Sequence, residues 1–345
     1  MARFEEVFSD VTKVGYKIPT SEYLVTGKYP IIDQGQEKIA GYTNLEEGIF
    51  SDVPAIVFGD HTRIVKYIET PFYLGADGVK ILKCRLQNTD SKYLYYCLSN
   101  ARIPNTGYNR HFKWLKEINI PLPPLDEQRK IAAVLDKVSD LIAKRRQQLD
   151  KLDTLVKARF VEMFGDPTLN PYGLEKKRFD TICENLDSRR RPITSSDRVA
   201  GIYPYYGASG IVDYVEDYIF DEDILLVSED GANLLMRSTA IAFSVSGKVW
   251  VNNHAHVVRF DNLATQKYIE VYFSLIDISD QITGSAQPKL NQARLNAMEF
   301  MYPPIKRQEQ FASFVAQVDK SKMVVSQSLE KLGMLKKSLM QLYWG

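Results

Sequence analysis

Two segments of the sequence combine cations, amides and aromatic rings at short spacing, and this chemistry could bind a polyanion that carries flat polar groups. One segment runs from Gly107 to Trp114 and the other from Gly284 to Asn291. Lysine and arginine neutralise phosphates, whereas arginine, asparagine and glutamine also form hydrogen bonds with base edges. Both segments therefore suit contacts with nucleic acid, although the aromatic rings of the first could equally belong to the core. The candidate residues are Tyr108, Asn109, Arg110, His111 and Lys113 in the first segment, and Gln287, Lys289 and Asn291 in the second.

Other polar groups follow short apolar runs, in connecting segments where side chains can meet a partner. One compact group comes directly after the run that ends at Phe58, and three adjacent arginines occur near residue 190. Three neighbouring cations repel one another unless a phosphate or another counter-charge is present. A structural Asp–Arg pair or a solvated loop would show the same residue types. The candidates are Asp60, His61, Thr62 and Arg63, then Arg189, Arg190 and Arg191, and further along Asn233, Arg237, Asn252 and Asn253.

The motifs of several catalytic classes are missing from the sequence. No G-x-x-x-x-G-K-[ST] loop occurs, so no NTP-binding cradle is predicted. Asn170-Pro171-Tyr172 comes nearest to the Asn/Asp-Pro-Pro-aromatic motif of adenine methyltransferases, but it lacks the second proline and indicates a turn. His254 and His256 could share one strand face, yet no cysteine or carboxylate lies nearby at ligand spacing, so no metal is predicted. We accordingly predict no catalytic residue in this chain.

The composition is that of an ordinary globular chain. The 345 residues include 44 basic and 43 acidic side chains, for a net charge of +1, and 45% of them are hydrophobic. This length predicts about two domains, whose cores need no disulfide. No apolar run approaches the ~18–20 residues that cross a bilayer, and no signal peptide is expected after Met1. The three scattered cysteines argue against a disulfide framework and favour a reducing cytoplasm.

The small net charge gives no sign of a nucleic-acid partner until the charge is resolved by segment. Residues 1–118 carry 15 basic and 14 acidic side chains, residues 119–166 carry 9 and 8, residues 167–298 carry 13 and 17, and residues 299–345 carry 7 and 4. The third segment is acidic, with eight carboxylates in 213–230, although it also holds the three adjacent arginines. If the two signs lie on opposite faces, the basic face can still bind phosphates.

An internal repeat at a shift of 180 residues organises the chain. Its residues include Pro123, Pro124, Gln128, Leu149, Leu152 and Leu155, which recur as Pro303, Pro304, Gln308, Leu329, Leu332 and Leu335. Each copy continues as an apolar stripe with alternating steps of three and four, which is typical of a coiled-coil helix. The first copy predicts a helix from Asp126 to Met163, about 57 Å long, which ends at Gly165 and Pro167. The repeated leucines predict a helix–helix seam.

Each predicted helix follows a segment with mixed signals for strands and short helices. Strands are predicted at 55–58, 79–84, 224–228, 239–245 and 256–260, and short helices at 93–99 and 267–275. The two segments also open alike, with Phe4-Glu5-Glu6-Val7 and Phe179-Asp180-Thr181-Ile182. We predict an α+β fold in which two mixed α/β domains alternate with two long helices. The predicted boundaries are domain 1 at 1–118, spacer helix 1 at 119–166, domain 2 at 167–298 and spacer helix 2 at 299–345.

Characteristic motifs lie around helix 1 and inside both domains. They are Ile120-Pro121-Leu122-Pro123-Pro124-Leu125-Asp126-Glu127-Gln128 and Phe164-Gly165-Asp166-Pro167 around helix 1, Phe58-Gly59-Asp60-His61-Thr62-Arg63 and Leu74-Gly75-Ala76-Asp77-Gly78 in domain 1, and Glu229-Asp230-Gly231-Ala232 and Trp250-Val251-Asn252-Asn253-His254-Ala255-His256 in domain 2. With the repeated arrangement, these motifs resemble the specificity (S) subunit of type I restriction-modification systems. The second copy departs from the first where Arg307 stands at the position of Glu127, so the two helix starts are not equivalent.

The resemblance implies a DNA-reading subunit rather than a catalyst. Each domain would be a target-recognition domain that reads one half of a bipartite double-stranded DNA site. The two helices would pack antiparallel as a coiled coil with a pseudo-twofold axis, set the length of the unread spacer and dock two methyltransferase (modification) subunits. A separate restriction and translocase subunit would cut the DNA. S-adenosylmethionine, ATP and Mg would belong to these partners, and this chain would bind no cofactor and no membrane.

Two other functions remain open from the residues alone. The chain could be a stand-alone DNA-acting enzyme, such as a nuclease with its own recognition domains, or a coiled-coil adaptor without sequence specificity. The first alternative predicts methylation or cleavage by the isolated chain. The second predicts no preference among DNA sequences, whereas a specificity subunit shows a preference once methyltransferase subunits are present.

Overall fold

The computed structural model of the chain describes residues 1–75, 78–284 and 286–345. These residues form two units, one of Met1–Arg146 with Gln327–Gly345 and the other of Gln147–Ser326. Both long helices are divided between the units, whereas the predicted segments give each helix a segment of its own. Those segment boundaries stay a prediction. The motif at 74–78 and the candidate segment at 284–291 each lie partly outside the described residues.

Unit 1 is built from short strands, three short helices and parts of the two long helices. Its strands are β1 (Ala2–Arg3), β2 (Phe8–Asp10), β3 (Tyr29–Ile32), β4 (Gly41–Thr43), β5 (Ala55–Gly59), β6 (Val65–Ile68), β7 (Tyr73–Leu74), β8 (Val79–Cys84) and β9 (Asn119–Ile120), and its helices are α1 (Phe4–Val7), α2 (Ser91–Ser99), α3 (Phe112–Leu115) and the first part of α4 (Leu125–Phe164). One sheet has the order β2-β8-β5-β6 and another the order β4-β3-β7, while β1 pairs with β9. The strand β5 is buried along its whole length because it lies between two neighbours and beneath helices.

Unit 2 repeats this plan. Its strands are β10 (Lys176–Arg178), β11 (Glu184–Asn185), β12 (Ala200–Gly207), β13 (Gly210–Val215), β14 (Phe220–Asp221), β15 (Ile224–Ser228), β16 (Ala242–Val245), β17 (Lys248–Val251), β18 (Ala255–Arg259) and β19 (Glu299–Met301), and its helices are α5 (Phe179–Ile182), α6 (Asn233–Met236), α7 (Leu263–Phe273), α8 (Gln292–Ala297) and the first part of α9 (Ile305–Trp344). The sheet orders are β11-β18-β15-β16 and β13-β12-β17-β14, and β10 pairs with β19.

The two units therefore share one topology. The order β2-β8-β5-β6 corresponds to β11-β18-β15-β16, and in both units the second sheet contains one parallel pair, β3 with β7 or β12 with β17. The repeat detected at the helices thus extends through both domains. The predicted mixed architecture of α/β domains and long helices is confirmed.

The long helix α4 runs from Leu125 to Phe164, within one residue of the predicted limits at each end. It starts directly after Pro124 and ends at Gly165, which has φ of +82° and leaves no room for a Cβ beside Pro171. The first turns of α4 contribute to the core of unit 1, and its last turns pack in the core of unit 2 against the start of α9.

Within unit 2 the two long helices run antiparallel, as predicted. Arg307, near the start of α9, donates to the carbonyl of Met163 near the end of α4, and Lys322, further along α9, pairs with Asp153, earlier in α4. Arg307 thus binds a carbonyl at the helix C-terminus, where a cation is favoured. This contact gives a physical reason for the departure from Glu127 in the repeat.

Cations on the two long helices also have partners. Arg159 pairs with Glu162 at 2.8 Å and lies over the Phe314 ring, and in unit 1 Lys336 lies over the Tyr96 ring. Burial lowers the pKa of Lys336. Of the repeated leucines, Leu152 packs against the core of unit 2, while Leu155 and Leu335 are each 46% exposed. The pairing of these leucines in a seam stays a prediction.

Candidate nucleic-acid interface

In unit 1, Asp60 joins the two candidate loops to each other. It directly follows β5, and its backbone N–H donates to the carbonyl of Gly78 at 2.7 Å. Its carboxylate Oδ1 accepts the backbone N–H of Phe112 at 2.7 Å, and its carbonyl accepts the backbone N–H of His111 at 2.8 Å. Asp60 is buried and joins the two loops through these hydrogen bonds. Contact between its carboxylate and DNA stays a prediction.

His111 has a similar positioning role. Its side chain is fully buried, with Nδ1 3.0 Å from the carbonyl of Asp60 and Nε2 3.4 Å from the hydroxyl of Thr106. A carbonyl only accepts, so Nδ1 carries the proton, and Nε2 can accept from Thr106. The ring therefore fixes the beginning and the end of the loop that carries the exposed candidates.

The exposed side chains of unit 1 lie around these anchors. Tyr108 is 85% exposed, and Asn109, Arg110 and Lys113 are also exposed. In the described part of the chain, no ion pair or hydrogen bond involves the side chain of Arg110. Thr62 donates to the carbonyl of Gln34 at 2.7 Å. Through Asp60, loop 60–63 and loop 105–113 come together, a grouping that the sequence analysis did not predict.

Arg63 is held inside this group. It has φ of +63°, an uncommon conformation for a residue with a side chain, and its Nη1 donates to the carbonyl of Ile103 at 3.3 Å. Its guanidinium therefore braces the segment that leads into the exposed loop. No sequence motif pointed to Gln34, which lies in a distant segment and whose Oε1 accepts the backbone N–H of His61 at 3.1 Å.

In unit 2 the candidate loops meet at a group of charged side chains that we call the ion-pair cluster: Asp187, Arg190, Glu229, His256 and Lys289. Arg190 Nη1 lies 2.6 Å from Glu229 Oε2, and Lys289 Nζ lies 3.0 Å from Glu229 Oε1. His256 Nδ1 lies 2.6 Å from Asp187 Oδ2, and its Nε2 lies 2.8 Å from the carbonyl of Leu290. The cluster connects four segments that are distant in sequence.

The carboxylates of this cluster are held in their charged form. Burial alone would raise the pKa of Asp187, but hydrogen bonds from His256 and the Val257 N–H, together with nearby positive charge, bring it below its ordinary value. Burial would also raise the pKa of Glu229, but the hydrogen bonds from Arg190 and Lys289 outweigh this effect and lower the pKa below its ordinary value. Both side chains therefore act as fixed anions inside the unit.

Asp187, Glu229 and His256 present ligand atoms within 4.8 Å of one another, a spacing that could hold a metal ion. The expectation that no carboxylate lies near His256 is therefore wrong, because Asp187 and Glu229 arrive from distant segments. The guanidinium of Arg190 already lies against Glu229 and within 3.4 Å of Asp187. Because two protein cations neutralise these carboxylates, we interpret the group as an ion-pair cluster.

The three adjacent arginines have different surroundings. Arg189 pairs with Glu222 at 2.6 Å and lies over the Phe220 ring, and Arg190 belongs to the ion-pair cluster. Arg191 is exposed, and its carbonyl accepts the indole N–H of Trp250 at 2.6 Å. The counter-charge that such a run requires is thus supplied to two of the three arginines by the chain itself.

Four other candidates of unit 2 form hydrogen bonds that shape their own loops. Asn233 Oδ1 accepts the backbone N–H of Thr239, and Arg237, with φ of +51°, donates to the carbonyls of Phe273 and Ile276. The buried Asn252 accepts the backbone N–H of His254, and Asn291 caps α8 by accepting the backbone N–H of Arg294. Asn253 and Gln287 are exposed. Arg237 points to α7 and does not join the cluster. DNA contact by any of these residues stays a prediction.

The central loops of the two units correspond in their backbone hydrogen bonds. In unit 1 the Asp60 N–H donates to Gly78 and the Asp60 carbonyl accepts from His111; in unit 2 the Glu229 N–H donates to His254 and the Glu229 carbonyl accepts from Leu290. Each unit therefore presents a loop after its central strand and a second loop before a short helix. The fold builds the same kind of surface twice with different side chains.

The family model of the type I restriction modification DNA specificity domain matches residues 3–153 and 171–332. These two matches cover most of the chain, and each contains one α/β domain with most of the long helix that follows it. The chain therefore belongs to the type I restriction modification DNA specificity domain family. In the part of the chain that the structure describes, no helix is long and apolar enough to cross a membrane.

Curated relatives agree with this assignment. A putative type I restriction enzyme specificity subunit from Haemophilus influenzae is 32% identical over 152 residues, which are 44% of this chain and 39% of that protein. The EcoR124I/EcoR124II type I restriction enzyme specificity subunit from Escherichia coli is 29% identical over 148 residues, 39% of this chain and 37% of that protein. The chain thus spans about two fifths of the length of these relatives.

A solved structure shares the fold over nearly the whole chain. The crystal structure of a type I restriction-modification system S subunit from M. genitalium superposes with a TM-score of 0.57 at 18% identity, covering 98% of this chain and 94% of that one. At this identity the likeness concerns the fold alone. It agrees with the repeated α/β domains and long helices described above.

Proposed function

We propose that this chain is the DNA sequence-specificity subunit of a type I restriction-modification complex. In this role each α/β domain reads one half of a bipartite double-stranded site, and the long helices separate the readers and dock methyltransferase subunits. The observation that carries the proposal is the duplicated family match, because two equivalent surfaces on one chain suit a site with two parts.

The two domains contribute to DNA binding in different ways. In unit 1 the exposed Arg110 and Lys113 contact phosphates, and Asn109 is available for a base edge. In unit 2 the exposed Arg191, Asn253 and Gln287 take the corresponding roles. The buried Asp60 and His111, together with the ion-pair cluster, position these side chains and do not contact the bases.

Catalysis belongs to the partner subunits in this proposal. Two methyltransferase subunits bind S-adenosylmethionine and methylate adenine, and a restriction and translocase subunit uses ATP and Mg. The chain itself binds no cofactor and acts in the cytoplasm, where three free cysteines are stable. No observation favours the stand-alone nuclease, and the relatives named above are specificity subunits.

Methylome sequencing tests the proposal. The chain is expressed with its methyltransferase subunits in a host without adenine methylation, and we expect one bipartite methylated motif. Arg110→Ala, in unit 1, should weaken methylation or alter the preference in one half-site, while Gln287→Ala should act on the other. The isolated chain should neither methylate nor cut DNA. Activity of the isolated chain, or methylation without a bipartite motif, contradicts the proposal.

A further inference from the structure

Tyr108 stands at the tip of a turn whose own hydrogen bonds hold it in shape. Asn105 Oδ1 accepts the backbone N–H of Gly107 at 3.2 Å, and the backbone N–H of Asn109 donates to the carbonyl of Gly107 at 2.8 Å. Gly107 has φ of +77°, which favours glycine at this position of the turn. The turn therefore presents Tyr108 in one defined place.

The Tyr108 ring lies flat on the ring of His61. The ring centroids are 4.5 Å apart and the planes differ by 7°. His61 is itself held, because its backbone N–H donates to Gln34 Oε1 and its ring edge packs against Gly78, where an added Cβ would lie 2.8 Å from His61 Cδ2. One face of the tyrosine is thus supported by a fixed neighbour, while the residue remains 85% exposed.

Two further observations set this stack apart from an ordinary surface contact. Within the described residues, His61 Nδ1 is buried and has no hydrogen-bond partner, which is unusual and calls for a functional explanation. The corresponding loop of unit 2 offers Gln287 and Lys289 at its described positions and carries no aromatic ring. The supported aromatic ring therefore distinguishes the first recognition surface from the second.

We propose that Tyr108 is a specificity-determining residue that stacks on an unstacked base of the first half-site, with His61 as its support. This inference rests on the proposed function, since it requires that unit 1 reads DNA. An exposed side chain inserted at a base step opens the stack, and an aromatic ring can then cover the face of the freed base. Flexible pyrimidine–purine steps open most easily, so the first half-site should contain such a step.

The test uses the complex with its methyltransferase subunits and compares Tyr108→Phe, Tyr108→Leu and the wild type. Tyr172→Leu serves as the control, because Tyr172 is also an exposed tyrosine but lies in the turn after α4. Phenylalanine keeps the ring and should keep binding. Leucine removes it and should weaken binding of the bipartite site about 5- to 150-fold, which corresponds to ~1–3 kcal/mol of stacking.

Crosslinking separates stacking from a general effect on the loop. DNA with 5-iodouracil at single thymine positions of the first half-site should crosslink to Tyr108 on irradiation, and the crosslink should disappear in Tyr108→Leu. Discrimination at the second half-site should not change. Unchanged binding and first-half-site preference in Tyr108→Leu would overturn the inference while the proposed function stands. A wild-type complex without sequence preference would overturn both.

Discussion

Arg190→Met tests whether the ion-pair cluster holds the candidate loops of unit 2 together. The Arg190 side chain is only 14% exposed and that of Glu229 only 11%. The guanidinium donates to Glu229 Oε2 at 2.6 Å, to the carbonyl of Ala255 at 2.8 Å and to the carbonyl of Asp187 at 3.1 Å. Methionine preserves most of the apolar stem and removes all three hydrogen bonds.

The size of the effect follows from burial. Removal of one member of a buried ion pair lowers the free energy of unfolding by about 3–5 kcal/mol, because the other charge stays buried without its partner. Lys289 still faces Glu229 and His256 still faces Asp187, so we expect a loss near the lower limit, about 3 kcal/mol. For a urea dependence of up to ~3 kcal/mol per molar, the unfolding midpoint falls by at least about 1 M.

The assay follows the fluorescence of Trp250, which lies in β17 of unit 2 and donates to the carbonyl of Arg191. Trp114→Phe and Trp344→Phe in the background make Trp250 the single tryptophan, since the chain has three. Arg178→Met is the matched control, because Arg178 also forms two hydrogen bonds to a carboxylate, that of Asp180, but is 54% exposed. We expect no resolvable shift for this control.

A double-mutant cycle with Glu229→Gln isolates the pair itself. The coupling free energy between Arg190 and Glu229 should be about 1.5–3 kcal/mol, the range of hydrogen bonds to charged groups. A coupling below about 0.5 kcal/mol, or equal midpoints for Arg190→Met and Arg178→Met, would refute the reasoning.

Three further predictions follow from named contacts. Acid should destabilise unit 2 through Asp187 and Glu229, because both carboxyl groups have a lowered pKa in the folded state. The stability that they contribute is present above their ordinary pKa values of 3.8 and 4.5 and is lost as the pH falls through the folded-state values. Asp187→Asn should therefore flatten the pH dependence of the unfolding midpoint measured by Trp250 fluorescence. Gln128→Leu should destabilise unit 1 by roughly 1–3 kcal/mol more than Gln308→Leu destabilises unit 2. The Gln128 side chain forms hydrogen bonds with both Pro123 and Asp90, whereas that of Gln308 forms one with Pro303 and its Oε1 has no partner within the described residues. Urea unfolding of single-tryptophan variants measures the two losses of stability, and equal losses argue against this prediction. One heptad inserted at matching positions of α4 and α9 adds about 10 Å to each helix, so methylome sequencing should show a longer spacer between unchanged half-sites. A constant spacer contradicts the expectation that the helices set the spacer length.

The long helices could be predicted from sequence because their signals are local. The apolar stripe and the flanking Pro124 and Gly165 gave the limits of α4 to within one residue. Among the shorter elements, β8 and β15 were predicted with their exact bounds. The helix α7 was predicted at 267–275 but begins at Leu263, because the Asn262 side chain caps it by accepting the backbone N–H of Ala264. Asparagine is a common N-cap residue, so this start could have been predicted from the sequence. The predicted helix began four residues too late.

The candidate site could be predicted only where its residues are neighbours in sequence. Loop 60–63 was recognisable as one polar group, but its attachment to His111 depends on a hydrogen bond to a residue about fifty positions away. The contact between Asp187 and His256 joins residues 69 positions apart. No periodicity or motif encodes such pairings. The charged candidates could therefore be identified from the sequence, but not which of them neutralise one another.

The internal ion pairs determine which cations of this nearly neutral chain are available to bind phosphate. Arg189, Arg190 and Lys289 of unit 2 each face a carboxylate of their own unit, so a phosphate at these positions would have to displace that carboxylate. Such displacement is costly where the partner is buried, because the carboxylate would remain inside without a counter-charge. In the proposed role, unit 2 therefore reads DNA mainly with Arg191, Asn253 and Gln287. Phosphate binding then rests on the exposed cations of unit 1 and on the partner subunits, which is why a specificity subunit can function without being basic overall.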